Sequence, residues 1–155
     1  MNESKLIVGE LPLSAAQRLT LRCLLGEIIP ASASYGIPGA DDAAIFADVL
    51  ATSAPHAAQI IDALQQLDTL AGGSFADLDA ADRRRTADAF HAQHAVSAGL
   101  IAALAVQCYY RDDRVMRSLG MEARPPFPKG FAVEAGDWSL LDPVRAKSKL
   151  YRDAP

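Results

Sequence analysis

The sequence predicts an all-α protein: a compact bundle of about five helices followed by a long irregular C-terminal arm. Three observations carry that reading. Apolar residues recur at i, i+3/i+4, i+7 in several runs, the period of a helix with one face on a core. No stretch sustains the period-2 alternation of a half-buried strand. Pro125, Pro126, Pro128 and Pro143 crowd a terminal stretch that also holds Phe127, Phe131, Trp138 and Tyr151. Proline has no amide proton and a fixed φ, so Pro-Pro-Phe-Pro is excluded from a helix interior and reads as extended, polyproline-like chain. At 155 residues the chain is one domain, large enough to bury roughly 70% of its unfolded surface. The expected divisions are a lead over residues 1–13, a helical domain over 14–120 and an extended arm over 121–155.

Each element follows from local signals. Ser14 reads as an N-cap with Gln17 at the capping-box position. The run Ala15–Ile29 is apolar around most of its circumference, which predicts a central, largely buried first helix. Pro30 stops it. Residues 31–39 form a loop of small residues. Asp41 and Asp42 fit the first turn of a second helix, where the dipole favours anions; that helix carries Ala44, Ile45, Val49 and Leu50 and ends before Pro55. A third helix, His56 to Ala71, places Ile60, Ile61, Leu64, Leu67 and Leu70 on one side and stops at Gly72-Gly73. Asp79 caps a fourth, which runs through Phe90 and Val96 to Tyr110 with a break near Ser97 or Gly99. Asp112 opens a short last helix that ends at Gly120, a natural residue to follow a helix.

Charge narrows the partners. The formal net charge is −4. Up to Tyr110 six Lys/Arg stand against twelve Asp/Glu, giving −6; from Arg111 nine stand against seven, giving +2. An acidic body with a mildly basic arm suits a protein partner better than nucleic acid, which wants a clustered basic face. Cys23 and Cys108 are the only cysteines, far apart and without a C-x-x-C. They read as two buried thiols, and a disulfide requires their helices to pack side by side. No apolar run reaches bilayer length. The first thirteen residues lack the basic and apolar segments of a signal peptide.

Candidate chemistry is thin. Asp88, His91 and His94 at i, i+3, i+6 share one broad helical face and could ligate a divalent metal. A polar stripe facing solvent or a partner is the favoured reading, because the helix offers no fourth ligand. Glu27 sits just before a helix stop, and Arg83-Arg84-Arg85 reads as a solvated face. Gly72-Gly73-Ser74 lacks the strand, spacing and lysine of a phosphate loop. No serine sits in a nucleophile elbow. The expectation is that the chain holds no catalytic residue, metal or cofactor of its own.

Two stretches carry a resemblance. The first is LRCLLGEIIPASASYGIPGADDAAIFADVL, a helix ending in Ile-Ile-Pro, then a Pro-Gly-Ala turn and a second helix. The second is YYRDDRVMRSLGMEARPPFPKGF, with a tyrosine pair, an Asp-containing turn, a short helix ending in Leu-Gly and P-x-x-P-x-G-aromatic. In order and spacing they resemble the opening and closing patterns of the gluconate 2-dehydrogenase subunit 3 family, over about Leu19 to Phe131.

The resemblance implies a non-catalytic small subunit that binds and stabilises a larger FAD-dependent oxidoreductase of the glucose–methanol–choline type. Such partners oxidise sugars, polyols or glycosides, and some complexes add a cytochrome c subunit. FAD is expected in the partner and not in this chain. Members often carry a twin-arginine export signal; residues 1–13 hold none. The expected location is therefore cytoplasmic, or periplasmic if a signal has been removed. In this setting the arm supplies the partner interface: Pro126, Phe127, Pro128, Gly130, Phe131, Trp138, Leu140, Leu141 and Tyr151. Its prolines reduce the entropy lost on ordering it. Two other expectations stand beside this one: a free-standing helical adaptor with a non-flavin partner, and a small metal-dependent enzyme built on Asp88, His91 and His94.

Overall fold

The computed structural model describes residues 11–124, 127–130 and 135–149. It is all-α. Its helices are α1 (Ala15–Ile28), α2 (Ala43–Thr52), α3 (Ala57–Ala71), α4 (Ala80–Gln93), α5 (Ala95–Tyr109), α6 (Asp113–Ser118) and α7 (Asp142–Arg145). Short 3-10 turns occupy Ala54–His56, Phe75–Asp77 and Trp138–Leu141. Among the described residues there is no strand, only one isolated bridge between Ser32 and Ile37. No single described helix is long and apolar enough to cross a membrane. The chain divides into two compact units, Met1–Ala123 and Arg124–Pro155.

In the first unit the helix starts follow the local chemistry. Ser14 Oγ accepts from the Gln17 amide at 3.2 Å while Gln17 Oε1 accepts from the Ser14 amide at 3.0 Å. This reciprocal box satisfies two donors that the first turn leaves without partners. Asp42, Asp79 and Asp112 cap α2, α4 and α6, accepting from Ala44, Asp82 and Arg114 amides at 3.0, 2.8 and 2.8 Å. The end of α3 is set by Gly72 at φ +68°, with the Gly73 amide returning to Asp68 O at 3.1 Å. A left-handed residue there is costly for anything but glycine.

The core draws on every helix of this unit. Leu21, Leu24 and Leu25 of α1 meet Ile45 and Val49 of α2, Ile60, Leu64 and Leu67 of α3, Phe90 of α4 and Ile101, Leu104 and Cys108 of α5. Val115 of α6 is buried with them. The lead contributes too: Leu11 is fully buried and Leu13 nearly so. Asp68 ties three segments, its Oδ1 accepting from Thr20 Oγ1 at 3.4 Å and from the Phe75 amide at 2.9 Å.

Two expectations need correction. First, α1 is not buried all round: it buries Thr20, Leu21, Leu24 and Leu25, while Leu19 is half exposed and Cys23 and Ile28 are partly covered. Neighbouring helices cover one face, and an apolar side chain on the other face stays exposed. Second, the long fourth helix is two helices, and the break falls at His94 rather than near Ser97 or Gly99. The two axes differ by 114°. His94 leaves helical dihedrals (φ −126°, ψ 48°), and its ring lies 5.7 Å from that of Phe90. Gly99 sits within α5 with open space beside it, so nothing there calls for a bend.

The second unit is irregular chain with short ordered elements. Residues 127–129 form a turn with a cis Phe127–Pro128 bond, and Pro125 and Pro126 lie outside the described residues. Gly130 takes φ +66° and its carbonyl accepts from Arg124 Nη2 at 2.7 Å. Asp137 caps the Trp138–Leu141 turn, accepting from the Ser139 amide at 3.0 Å. Pro143 lies in the first turn of α7, where its missing amide proton costs nothing.

Candidate functional site

Tyr109, Arg111 and Arg114 bond across to Pro38, Asp48 and Asp42. The α1–α2 loop and the start of α2 lie against the end of α5 and the start of α6. Arg114 clasps both caps at this junction. Its Nη2 and Nη1 donate to Asp42 Oδ1 and Oδ2 at 2.6 and 3.2 Å, and its Nε and Nη2 donate to Asp112 Oδ1 and Oδ2 at 3.0 and 2.8 Å. Hydrogen bonding to Arg114 is the main cause holding both carboxyls below the ordinary carboxylate value. Two carboxylates in turn raise the guanidinium.

Further bonds close the junction. Tyr109 Oη donates to Pro38 O at 3.2 Å, and burial pushes its phenol upward. Arg111 Nη2 reaches Asp48 Oδ2 at 2.8 Å, Thr52 Oγ1 at 2.6 Å and Cys108 Sγ at 3.3 Å. Burial raises the Cys108 thiol despite those two donors nearby. Gly39 is required by close approach: a Cβ there would lie 2.8 Å from the Ala31 amide nitrogen. The junction is therefore a structural lock that positions α6, the last helix of the first unit. Cys23 and Cys108 are both free thiols.

The α4 stripe does not converge. Asp88 and His91 are exposed on α4, whereas His94 stands at the corner with its ring on Phe90. Among the described residues no three His, Cys, Asp or Glu side chains gather where they could hold a metal ion. Arg83 is turned inward to the Ala76 and Leu78 carbonyls at 3.2 and 2.9 Å, so the arginine run is not uniformly solvated.

The arm residues named from sequence are placed as follows. Phe127 is 85% exposed and Trp138 66%. Leu140, Leu141, Pro128 and Gly130 are exposed as well. Pro126, Phe131 and Tyr151 lie outside the described residues. The sequence reading missed Val144, also exposed, which stands three and four residues after Leu141 and Leu140. It missed a second surface too. Between His94 and Arg111 the chain has no charged residue, yet only one side of α5 is buried. Val96 (90% exposed), Gly99, Ala103, Val106 and Tyr110 form an uncharged outer stripe. The absence of charge over sixteen residues was the available signal.

Among the described residues the fold is an all-α bundle with exposed apolar side chains along α5 and in the second unit. No family model, no curated protein and no solved structure matches this chain.

Proposed function

We propose that this chain is a non-catalytic small subunit that binds and stabilises a larger FAD-dependent oxidoreductase of the glucose–methanol–choline type. The partner acts on sugars, polyols or glycosides and carries the flavin. The observation that carries the reading is the set of exposed large apolar side chains in the second unit: Phe127, Trp138, Leu140, Leu141 and Val144. Large apolar side chains left exposed in number are a mark of interaction surfaces. Trp and Phe are also the residues that anchor interfaces. The uncharged outer face of α5 is a second exposed apolar surface. The resemblance of the junction stretches to the gluconate 2-dehydrogenase subunit 3 family gives the partner its identity.

The role works by mass action. A chain that binds only the folded large subunit draws its equilibrium toward that state. Obligate interfaces of this kind bury about 2,000 Å² or more. The test is to express the flavoprotein with and without this chain. Low yield, low FAD content and low activity are expected without it. Full yield, flavin and activity from the large subunit alone would overturn the proposal.

A further inference from the structure

The first unit contains a cavity of about 210 Å³ between α1, α4 and α5. Its walls are Leu24, Ile28, Ala87, Phe90, Ala98 and Ala102. It exists because α4 and α5 turn a corner at His94 and three of the wall residues are alanines, too small to fill the angle. An enclosed cavity of about 150 Å³ lined by aliphatic side chains takes benzene; this one is partly open to solvent. A space of 210 Å³ takes one ring with a short tail.

The polar groups at the mouth define the rest of the ligand. Glu27, Arg84, Asp88 and His91 stand there. Arg84 is already engaged. Its Nη1 lies 3.5 Å from Glu27 Oε2 and donates to the Glu27 carbonyl at 3.2 Å. Those two charges compensate one another. Asp88 has no hydrogen bond or ion pair among the described residues, and it leaves one uncompensated negative charge beside an apolar hole.

We propose that this cavity binds a small organic cation: one aromatic or branched aliphatic group joined by a short chain to an ammonium. The apolar group fills the alanine-lined interior over Phe90, and the ammonium meets the Asp88 carboxylate. This site is separate from the surfaces assigned to the partner subunit and does not depend on that role.

The full chain is titrated by calorimetry and by amide NMR with three probes that share one phenyl ring and one three-carbon tail: 3-phenylpropan-1-amine, 3-phenylpropan-1-ol and 3-phenylpropanoate. The amine is expected to bind up to about fivefold tighter than the alcohol, the value of one exposed ion pair, and the carboxylate weakest of all. Ala102→Leu fills the cavity and abolishes binding of the amine and the alcohol alike. Asp88→Asn, on an exposed helical position that leaves folding intact, lowers the amine to the level of the alcohol and leaves the alcohol unchanged. Carboxylate binding as tight as that of the amine, amine affinity unaltered in Asp88→Asn, or no saturable binding of the ring-bearing probes would each overturn the proposal.

Discussion

Asp42→Ala tests the junction most directly. In the native chain one carboxylate does two jobs. It caps α2 through the Ala44 amide at 3.0 Å and meets Arg114 at 2.6 and 3.2 Å. Loss of an Asp cap costs about 1 kcal/mol. The ion pair adds little, because Arg114 is half exposed and keeps Asp112. For a chain of this size, 1 kcal/mol lowers Tm by about 4 °C. Asp42→Asn keeps a side-chain oxygen for the cap, since Asn caps as well as Asp, and should lose less than half as much. Protonation separates the two jobs. Arg114 holds the Asp42 carboxyl below its ordinary 3.8. A carboxyl lowered in the folded state contributes stability that is present above 3.8 and is lost as pH falls through the lower folded value. The deficit of Asp42→Ala against the native chain should therefore shrink below that pH without vanishing, because the protonated carboxyl still accepts from Ala44. Thermal unfolding by far-UV circular dichroism, at neutral pH and in acid steps, reads both effects. If Asn costs as much as Ala, or the deficit is flat with pH, the division into cap and charge is wrong.

Two further outcomes follow from the same structure. Trp138→Ala with Leu140→Ala should weaken co-purification with the proposed large subunit by about 2 kcal/mol or more, the scale of an aromatic anchor, yet leave the helical signal and Tm of the isolated chain nearly unchanged, since both side chains are exposed; a fall in Tm of several degrees would instead make them part of this chain's own packing. Cys108 is raised above 9.0 by burial, so its neutral form is favoured in the folded state. Its contribution is complete below that pH and is lost as pH rises through the folded value, and Cys108→Ala should flatten the alkaline limb of the stability curve; an unchanged limb would show the thiol to be uninvolved.

What the sequence disclosed, and what it hid, divides along local and tertiary lines. Ser14, Asp79 and Asp112 were legible as caps because a cap is read from three or four neighbouring residues. Asp42 was placed in the first turn of its helix, one position from its role as the cap. The end of α3 was legible because Gly72-Gly73 provides the left-handed step. The corner at His94 was hidden, because no glycine or proline marks it: it coincides with His94 lying against Phe90. Glycine at 99 pointed to the wrong place, since a helix tolerates one exposed glycine without bending. Arg114 meeting Asp42 spans seventy-two positions. A single sequence carries no record of such a contact. The same holds for Leu11, which reads as part of a lead until the core is seen to close over it.

The exposed apolar side chains of α5 and of the second unit differ in kind, and the difference bears on how the proposed partner would be held. The outer face of α5 belongs to a helix whose other side is fixed in the core by Ile101, Leu104 and Cys108, so it loses little entropy when covered. Its small residues, Gly99 and Ala103, let another backbone approach closely but bury little area each. The arm is the reverse: Phe127 and Trp138 are large, and they stand on short turns rather than on a packed helix. Large anchors on short elements give much apolar area at a higher ordering cost. A partner that engages both gains a preorganised contact from α5 and most of its buried area from the arm. Loss of the arm anchors should then act chiefly on how long the complex lasts, because mutations in one interface shift dissociation more than association. A bulky charge on α5, as in Ala103→Glu, should prevent docking by desolvation and steric clash while leaving the core beneath it untouched.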